Sequence, residues 1–255
     1  MEKTKIKVDI SKFPEKLHSY LKGAEIYDSS SCSSAKVYYI SSGYYLKVDA
    51  KKILEREAFM ADWFYKKGLG IKMVQYITAD QDYMLTKAAE GEDCLSDLNH
   101  PEKLCELLAQ AMRTLHSMPV LDVPNSVSLD NFFAALETGK GDYCESILMP
   151  RFMISSKEEA WEIMQANKHR LKCDTLIHGD FCLPNVIHKD YKFSCFIDLA
   201  AAGAGDKHID LYWALWSLQY NLKTEEYADY FLDLYGRQNF DYSMLKVIAA
   251  FEAFG

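Results

Sequence analysis

The change of texture at Thr86 constrains this chain more than any other feature of its sequence. Before it, short β-prone runs surround one helix. Lys36–Ile40 and residues 44–48 are rich in Tyr and Val, and Ser41-Ser42-Gly43 between them reads as a hairpin turn. Ahead of the hairpin, residues 28–34 form a polar loop with five serines. Over 51–66 the apolar residues Ile53, Leu54, Ala58, Ala61 and Phe64 or Tyr65 recur at helical spacing, and Gly68 and Gly70 end that helix. Residues 74–78 and 83–86 are two further strands about a turn at 79–82.

After Thr86 the pattern becomes helical. Residues 87–91 read as a connector. Pro101 opens a helix to His116 with Leu104, Leu107, Leu108, Ala111, Met112 and Leu115 on one side. A looser segment, 118–151, precedes a helical stretch over 158–171. Three short strands at 175–178, 186–188 and 195–197 are separated by tight polar turns, and helices over 210–220, 224–235 and 242–254 close the chain. No internal repeat interrupts this order. It predicts a β-rich lobe over 1–86, a connector over 87–91, and a mainly helical lobe over 92–255 with a small β insert.

Composition narrows the class. With 255 residues, 49% hydrophobic and 26% charged, the chain can bury a substantial core without metals or disulfides. Twelve Gly and six Pro argue against collagen-like or low-complexity scaffolds. The richest apolar run, residues 211–216, is far too short to span a bilayer, and MEKTKIKVDISKF at the start has no signal-peptide core. Cysteines 32, 94, 105, 144, 173, 182 and 195 include no CxxC pair and read as reduced thiols of a cytoplasmic protein. No His/Cys spacing suggests zinc. The net charge of −8 is split unevenly: residues 1–86 carry +3 and residues 87–255 carry −11. An acidic chain is a poor partner for nucleic acid. The split suits a protein that holds a polyanion with its first third and a cation with the rest.

The chemistry concentrates in His178-Gly179-Asp180-Phe181-Cys182-Leu183-Pro184-Asn185 and in Phe196-Ile197-Asp198. Phosphoryl transfer needs a carboxylate to orient the attacking hydroxyl and oxygen ligands to hold Mg2+ on the phosphates. Asp180 and Asn185 stand five apart across a loop, the separation found in the protein-kinase catalytic loop. Asp198 follows 13 residues later at the end of an apolar strand. Any one of these alone is an ordinary turn residue or cap; the joint pattern is not.

With these residues the sequence resembles the aminoglycoside phosphotransferase and choline kinase group, and within it the aminoglycoside 3'-phosphotransferases. Ser34-Ala35-Lys36-Val37-Tyr38, Tyr45-Leu46-Lys47, Glu55-Arg56-Glu57, Pro101-Glu102-Lys103, Leu115-His116-Ser117, Ser128-Leu129-Asp130 and Gly205-Asp206-Lys207 fall in that family's order, so the resemblance covers nearly the whole chain. It implies an α+β, protein-kinase-like two-lobed fold and an ATP-dependent transfer of phosphate to a hydroxyl of an aminoglycoside antibiotic, with GTP left open as donor.

The resemblance also implies roles. Asp180 is the catalytic carboxylate. Asn185 and Asp198 are the Mg2+ ligands. Lys47 reaches the α- and β-phosphates, and Glu57 holds it by an ion pair. Ser33 and Ser34 contact the triphosphate, Lys87–Ala89 offers backbone groups to the adenine, and Thr86 borders the base. Glu145 and Glu252 are the acidic contacts to a cationic acceptor, and the Phe254-Gly255 end could line the same pocket. His178, Asp206, Lys207 and Asp210 read as scaffold, and Tyr212, Trp213 and Trp216 as core. Two departures bear on the acceptor: Leu199-Ala200-Ala201 follows Asp198 where close relatives carry Arg, and Tyr220-Asn221 stand where acidic residues are common. They suggest a narrower or different acceptor. A kinase for another small alcohol, or a non-catalytic nucleotide-binding protein, are the competing readings. The expected protein is a cytoplasmic monomer with no nucleic-acid or membrane partner.

Overall fold

The structure is a computed structural model that describes residues 3–31, 35–121, 123, 137 and 143–254. The chain divides into two compact units, Met1–Glu90 with Ser194–Ala200, and Gly91–Phe193 with Ala201–Gly255.

The first unit is built on a six-stranded antiparallel sheet. Its strands are β1 (Thr4–Ile6), β2 (Ile26–Asp28), β3 (Lys36–Ile40), β4 (Tyr44–Ala50), β5 (Met73–Thr78) and β6 (Gln81–Lys87), in the order β1-β2-β3-β4-β6-β5. In β4 the residues alternate: Leu46 and Val48 are buried in the cluster with Leu17, Leu21, Ile26, Ile40, Tyr83 and Leu85. Leu17 and Leu21 come from a 3-10 turn and a one-turn helix, α1 (His18–Leu21), that lie on this face. Lys47, between Leu46 and Val48, therefore points to the other face, paired with Val37 and Met84. Met84 packs there against Leu54 and Ala58, so helix α2 (Glu55–Lys66) covers the Lys47 side.

Helix α2 starts later than its apolar spacing suggests. Asp82, fully buried, accepts the Leu54 N–H at 3.0 Å, and Lys52 takes a left-handed φ of 70°. That carboxylate holds 51–54 as a turn, so the helix begins at Glu55 and Glu57 lies in its first turn.

The second unit is mainly helical. Helices α3 (Pro101–His116), α4 (Lys157–Asn167), α5 (Lys207–Leu222), α6 (Glu226–Tyr235) and α7 (Tyr242–Glu252) carry it. Helix α3 buries the six apolar residues read from its sequence and packs on α6. Ala160 and Met164 of α4 meet Met244, Val247, Ala250 and Phe251 of α7. Two small pairings complete the unit: β7 (Glu92–Asp93) with β9 (Val186–Lys189), and β8 (Thr175–Ile177) with β11 (Gly203–Gly205). Strand β10 (Lys192–Phe196) begins in the second unit and ends in the first. Strand β11 is Gly-Ala-Gly because a Cβ on Gly205 would lie 2.4 Å from the Ile177 side chain. No helix among the described residues is long and apolar enough to cross a membrane.

Candidate active site

In the first unit Lys47 Nζ donates to both carboxylate oxygens of Glu57, at 2.9 and 2.8 Å, and to Asp198 Oδ1 at 2.9 Å. Burial works against the ammonium charge, but the Asp198 and Glu57 carboxylates overcome it and hold the Lys47 pKa above its ordinary range. Burial pushes the Glu57 carboxyl upward, against the pull of Lys47. Glu57 is 5% exposed and Asp198 45%, so the triad runs from the interior to an open carboxylate. Asp198 itself adopts a left-handed φ of 55°. Such a conformation is uncommon for a residue with a Cβ, and it fits a side chain held for a task. Its flanks are tied down: Phe196 N–H donates to Leu69 O at 2.8 Å, and Arg56 Nε donates to Ala200 O at 2.7 Å.

Of the connector residues, Lys87 N–H donates to Lys72 O and Ala88 N–H to Gly43 O, both at 2.9 Å. Ala89 is the residue of the three whose N–H is uncommitted among the described residues. Ser33 and Ser34 lie outside the described residues. Nearer β2 and β3, Ser30 N–H donates to Asp28 Oδ1 and Ser30 Oγ accepts from Val37 N–H.

In the second unit the 178–185 loop is fastened from below. Asp210, with no exposure, accepts the His178 and Gly179 N–H groups, each at 2.8 Å, on its two oxygens. His116 Nε2 lies 3.1 Å from Asp210 Oδ2, and its Nδ1 lies 2.9 Å from the Tyr235 hydroxyl. Gly179 has φ 81°, and a Cβ there would sit 2.5 Å from Ala201 O, so the turn that presents Asp180 requires glycine. The amide of Asn185 donates to both Asp180 O and Asp180 Oδ2 at 2.9 Å. That commits the Asn185 nitrogen inward and turns its Oδ1 away. Ser217 Oγ accepts the Leu183 N–H at 3.0 Å, anchoring the loop to α5.

The two carboxylates expected at the acceptor, Glu252 and Glu145, divide. Glu252 receives a hydrogen bond from the Trp213 side chain, and burial, with smaller contributions from the Asp180 and Asp210 charges, pushes its pKa up to about 7. Glu252 and Asp180 therefore share one electrostatic neighbourhood. Glu145 is exposed, at the start of a 3-10 turn. The backbone nevertheless joins the two segments: Cys144 N–H donates to Ala253 O at 2.7 Å, and the Tyr143 and Phe254 rings lie 5.2 Å apart. Tyr212 is fully buried as expected, but Trp213 and Trp216 are only half-buried, because the face of α5 they occupy is not covered along its length. The role of Trp213 beside Glu252 is not visible in the sequence, since 39 residues separate them. The same holds for Asp82, whose turn position conceals its reach to the start of α2. Neither has a local signal by which it could be found.

A sequence model of the phosphotransferase enzyme family matches residues 30–247. The probable aminoglycoside 3'-phosphotransferase of Lactococcus lactis subsp. lactis (strain IL1403) is 41% identical, over 98% of each chain. The aminoglycoside 3'-phosphotransferase of Enterococcus faecalis is 27% identical, over 92% of this chain and 93% of its own. Among solved structures, aminoglycoside phosphotransferase APH(3'')-Id from Streptomyces rimosus is similar with a TM-score of 0.74 at 19% identity, covering 97% of this chain and 99% of its own. An aminoglycoside-3'-phosphotransferase of type VIII gives 0.73 at 22%, covering 94% and 97%. The α+β, protein-kinase-like fold expected from the sequence is the one these structures share.

Proposed function

Since the chain belongs to the phosphotransferase enzyme family, we propose that it transfers the γ-phosphate of ATP to a hydroxyl of an aminoglycoside. The observation that carries this reading is the Asp180 loop, in which Asn185 binds the catalytic carboxylate and Asp210 holds the backbone beneath it. The aminoglycoside 3'-phosphotransferases that resemble it over almost their whole length support the choice of acceptor.

In this reading Asp180 orients the acceptor hydroxyl and takes its proton as the new O–P bond forms and the bond to the β-phosphate oxygen breaks, leaving ADP. Lys47, held by Glu57, meets the α- and β-phosphates. Ser33 and Ser34 contact the triphosphate, and Ala89 is the connector residue best placed to offer its N–H to the base. Residues 1–86 form the nucleotide-binding lobe, 87–91 the connector and 92–255 the catalytic and acceptor lobe. Asp198 and Asn185 suit Mg2+: both offer hard oxygen donors, one from an open carboxylate and one from an amide whose nitrogen is already engaged. Bound there, Mg2+ would neutralise charge on the phosphates. Glu252, with Glu145 on the neighbouring segment, receives protonated amines. The protein works as a cytoplasmic monomer, without nucleic acid or membrane as partner.

The test is phosphate transfer by the purified protein from ATP or GTP with Mg2+ to a panel of aminoglycosides, read by mass spectrometry. A product heavier by one phosphate is expected, and it should vanish with Asp180→Ala. No phosphorylated aminoglycoside, but a phosphorylated amino alcohol or sugar, would replace this reading with the small-alcohol kinase that Tyr220 and Asn221 favour.

A further inference from the structure

Helix α2 grips the Lys47–Asp198 pair with two neighbouring side chains. Glu57, buried in the first turn, accepts Lys47 Nζ on both carboxylate oxygens. Arg56, the residue before it, is half-buried and donates from Nε to Ala200 O at 2.7 Å. Consecutive helical residues point about 100° apart, so a single turn reaches the sheet lysine on one side and the Asp198 segment on the other. About two turns further along α2 the same segment is held again. The Phe64 and Phe196 rings meet edge-on at 6.4 Å, and Phe196 N–H donates to Leu69 O at 2.8 Å. Residues 196–200 are therefore fastened at both ends to α2 and the turn that follows it, with Asp198 midway.

Asp198 needs both fastenings. Its φ of 55° lies in the left-handed region, where a residue with a Cβ is disfavoured, while its carboxylate accepts Lys47 Nζ at 2.9 Å. A slack segment would leave that region, and the carboxylate would swing off Lys47 with it. Phe196 fixes the approach to Asp198. Beyond it Leu199 is buried, and the next carbonyl is the one that Arg56 holds with a charged donor. The position of Arg56 is fixed in its turn. Asp82, fully buried, accepts the Leu54 N–H and so sets where α2 begins. A helix displaced by one residue would carry Arg56 and Glu57 about 100° round its axis and lose both contacts.

We propose that Arg56 is a positioning residue for Asp198. By holding Ala200 O it keeps Asp198 in its left-handed conformation, aimed at Lys47 and at the Mg2+ that accompanies the nucleotide. This deepens the phosphotransferase reading above and rests on it. In this role Arg56 acts through Asp198 and touches neither phosphate nor acceptor. Arginine suits the task better than lysine. Its Nε–H lies within a rigid planar fork, so the bond has a fixed direction, whereas a lysine ammonium is a rotating point charge on a flexible stem. The first turn of α2 thus sets the phosphate-binding lysine and the metal-binding carboxylate together, one through Glu57 and the other through Arg56.

The experiment measures how much Mg2+ adds to nucleotide binding. A non-hydrolysable ATP analogue is titrated calorimetrically, with excess EDTA or with saturating Mg2+, into wild type, Arg56→Gln and Arg56→Lys. Without metal the three proteins should bind the analogue alike. The gain that Mg2+ gives wild type should shrink about tenfold in Arg56→Gln, the size of the preference for leaving the left-handed region. In Arg56→Lys, which keeps the charge and a donor, it should shrink about two- to threefold. In transfer assays the Mg2+ concentration for half-maximal rate should rise by the same factors, with the aminoglycoside KM unchanged. A lower melting temperature in Arg56→Gln with the metal gain intact would make Arg56 a merely structural residue and overturn the proposal. So would a wild type that gains nothing from Mg2+. If the variants lose the gain but no aminoglycoside is phosphorylated, the positioning role stands and the acceptor reading falls. If aminoglycosides are phosphorylated and the gain is untouched, the acceptor reading stands and the positioning role falls. Should Arg56→Gln not fold, Arg56→Lys carries the same comparison.

Discussion

Glu57 and Glu252 are both helix glutamates whose carboxyl groups burial pushes upward, one in each unit. Glu57 lies against Lys47, which bonds both its oxygens. Glu252 has a Trp213 hydrogen bond and the repulsion of Asp180 and Asp210, and no ion pair among the described residues. The first carboxylate is already balanced by the fold; its cost is met and its use is to fix a lysine. The second is left with excess negative potential around it, which protonation relieves at low pH and a bound cation would relieve above it. A buried charge with its partner present reads as positioning, and one without reads as a binding group.

The comparison breaks most severely if Asp180, the source of part of that potential, is not catalytic. Asp180→Ala should lower kcat about 10²- to 10⁴-fold while nucleotide binding, measured by calorimetry, is largely kept. Wild-type turnover in that variant would dissolve the assigned site. Lys47→Met comes next: kcat/KM for ATP should fall on the order of 10²-fold, and the melting temperature should drop because Glu57 and Asp198 lose their shared cation. Adding Glu57→Gln should recover much of the stability and none of the activity. If the double variant were no more stable than the single one, Glu57 would not be a charge waiting on Lys47.

Much of this site is legible in the amino-acid sequence itself. Asp180, Asn185 and Asp198 are the residue types that phosphoryl transfer would demand at those separations, and Lys47 and Glu57, which the structure pairs, follow once the family order is seen. What stays hidden is long-range or featureless. Strands Thr4–Ile6 and Ile26–Asp28 are three residues each, too short for alternation to show. Strand Gly203–Gly205 has a composition that opposes strand formation and exists because Ile177 needs the space. The late start of α2 comes from Asp82, 28 residues away from the N–H it holds. Trp213 and Trp216 read as core because their spacing along α5 matches a buried stripe; spacing does not reveal which part of that stripe is left uncovered.

Sharpening the comparison on the other side, Glu252→Gln should raise the KM for an aminoglycoside about ten- to hundredfold and leave that for ATP unchanged, in steady-state kinetics at pH 8. Glu252 accepts an ammonium only when ionised, and its pKa in the free protein is about 7. The wild-type acceptor KM should therefore be flat above pH 7 and climb toward about tenfold per pH unit below it. The Gln variant should lack this limb. An identical acid limb in both proteins would assign it to the acceptor's own amines or to another carboxyl.

The smallest effect concerns stability, and its sign separates the two glutamates. Glu252 without ligand has a folded-state pKa of about 7, above the ordinary 4.5. The folded protein thus favours the protonated carboxyl. That contribution is complete below about pH 4.5 and is lost as pH rises through 7, where the folded state must hold an unrelieved charge. Glu252→Gln removes the charge and keeps the shape. At pH 8 the variant should melt a few degrees higher than wild type, about 2–4 °C for each kcal/mol recovered. Near pH 4.5 the two should melt together. Saturating aminoglycoside should erase or reverse the difference at pH 8, since the ligand supplies wild-type protein with the missing cation. A less stable Gln variant at pH 8 without ligand would mean that Glu252 is satisfied within the fold, as Glu57 is, and that the acceptor's ammonium binds elsewhere.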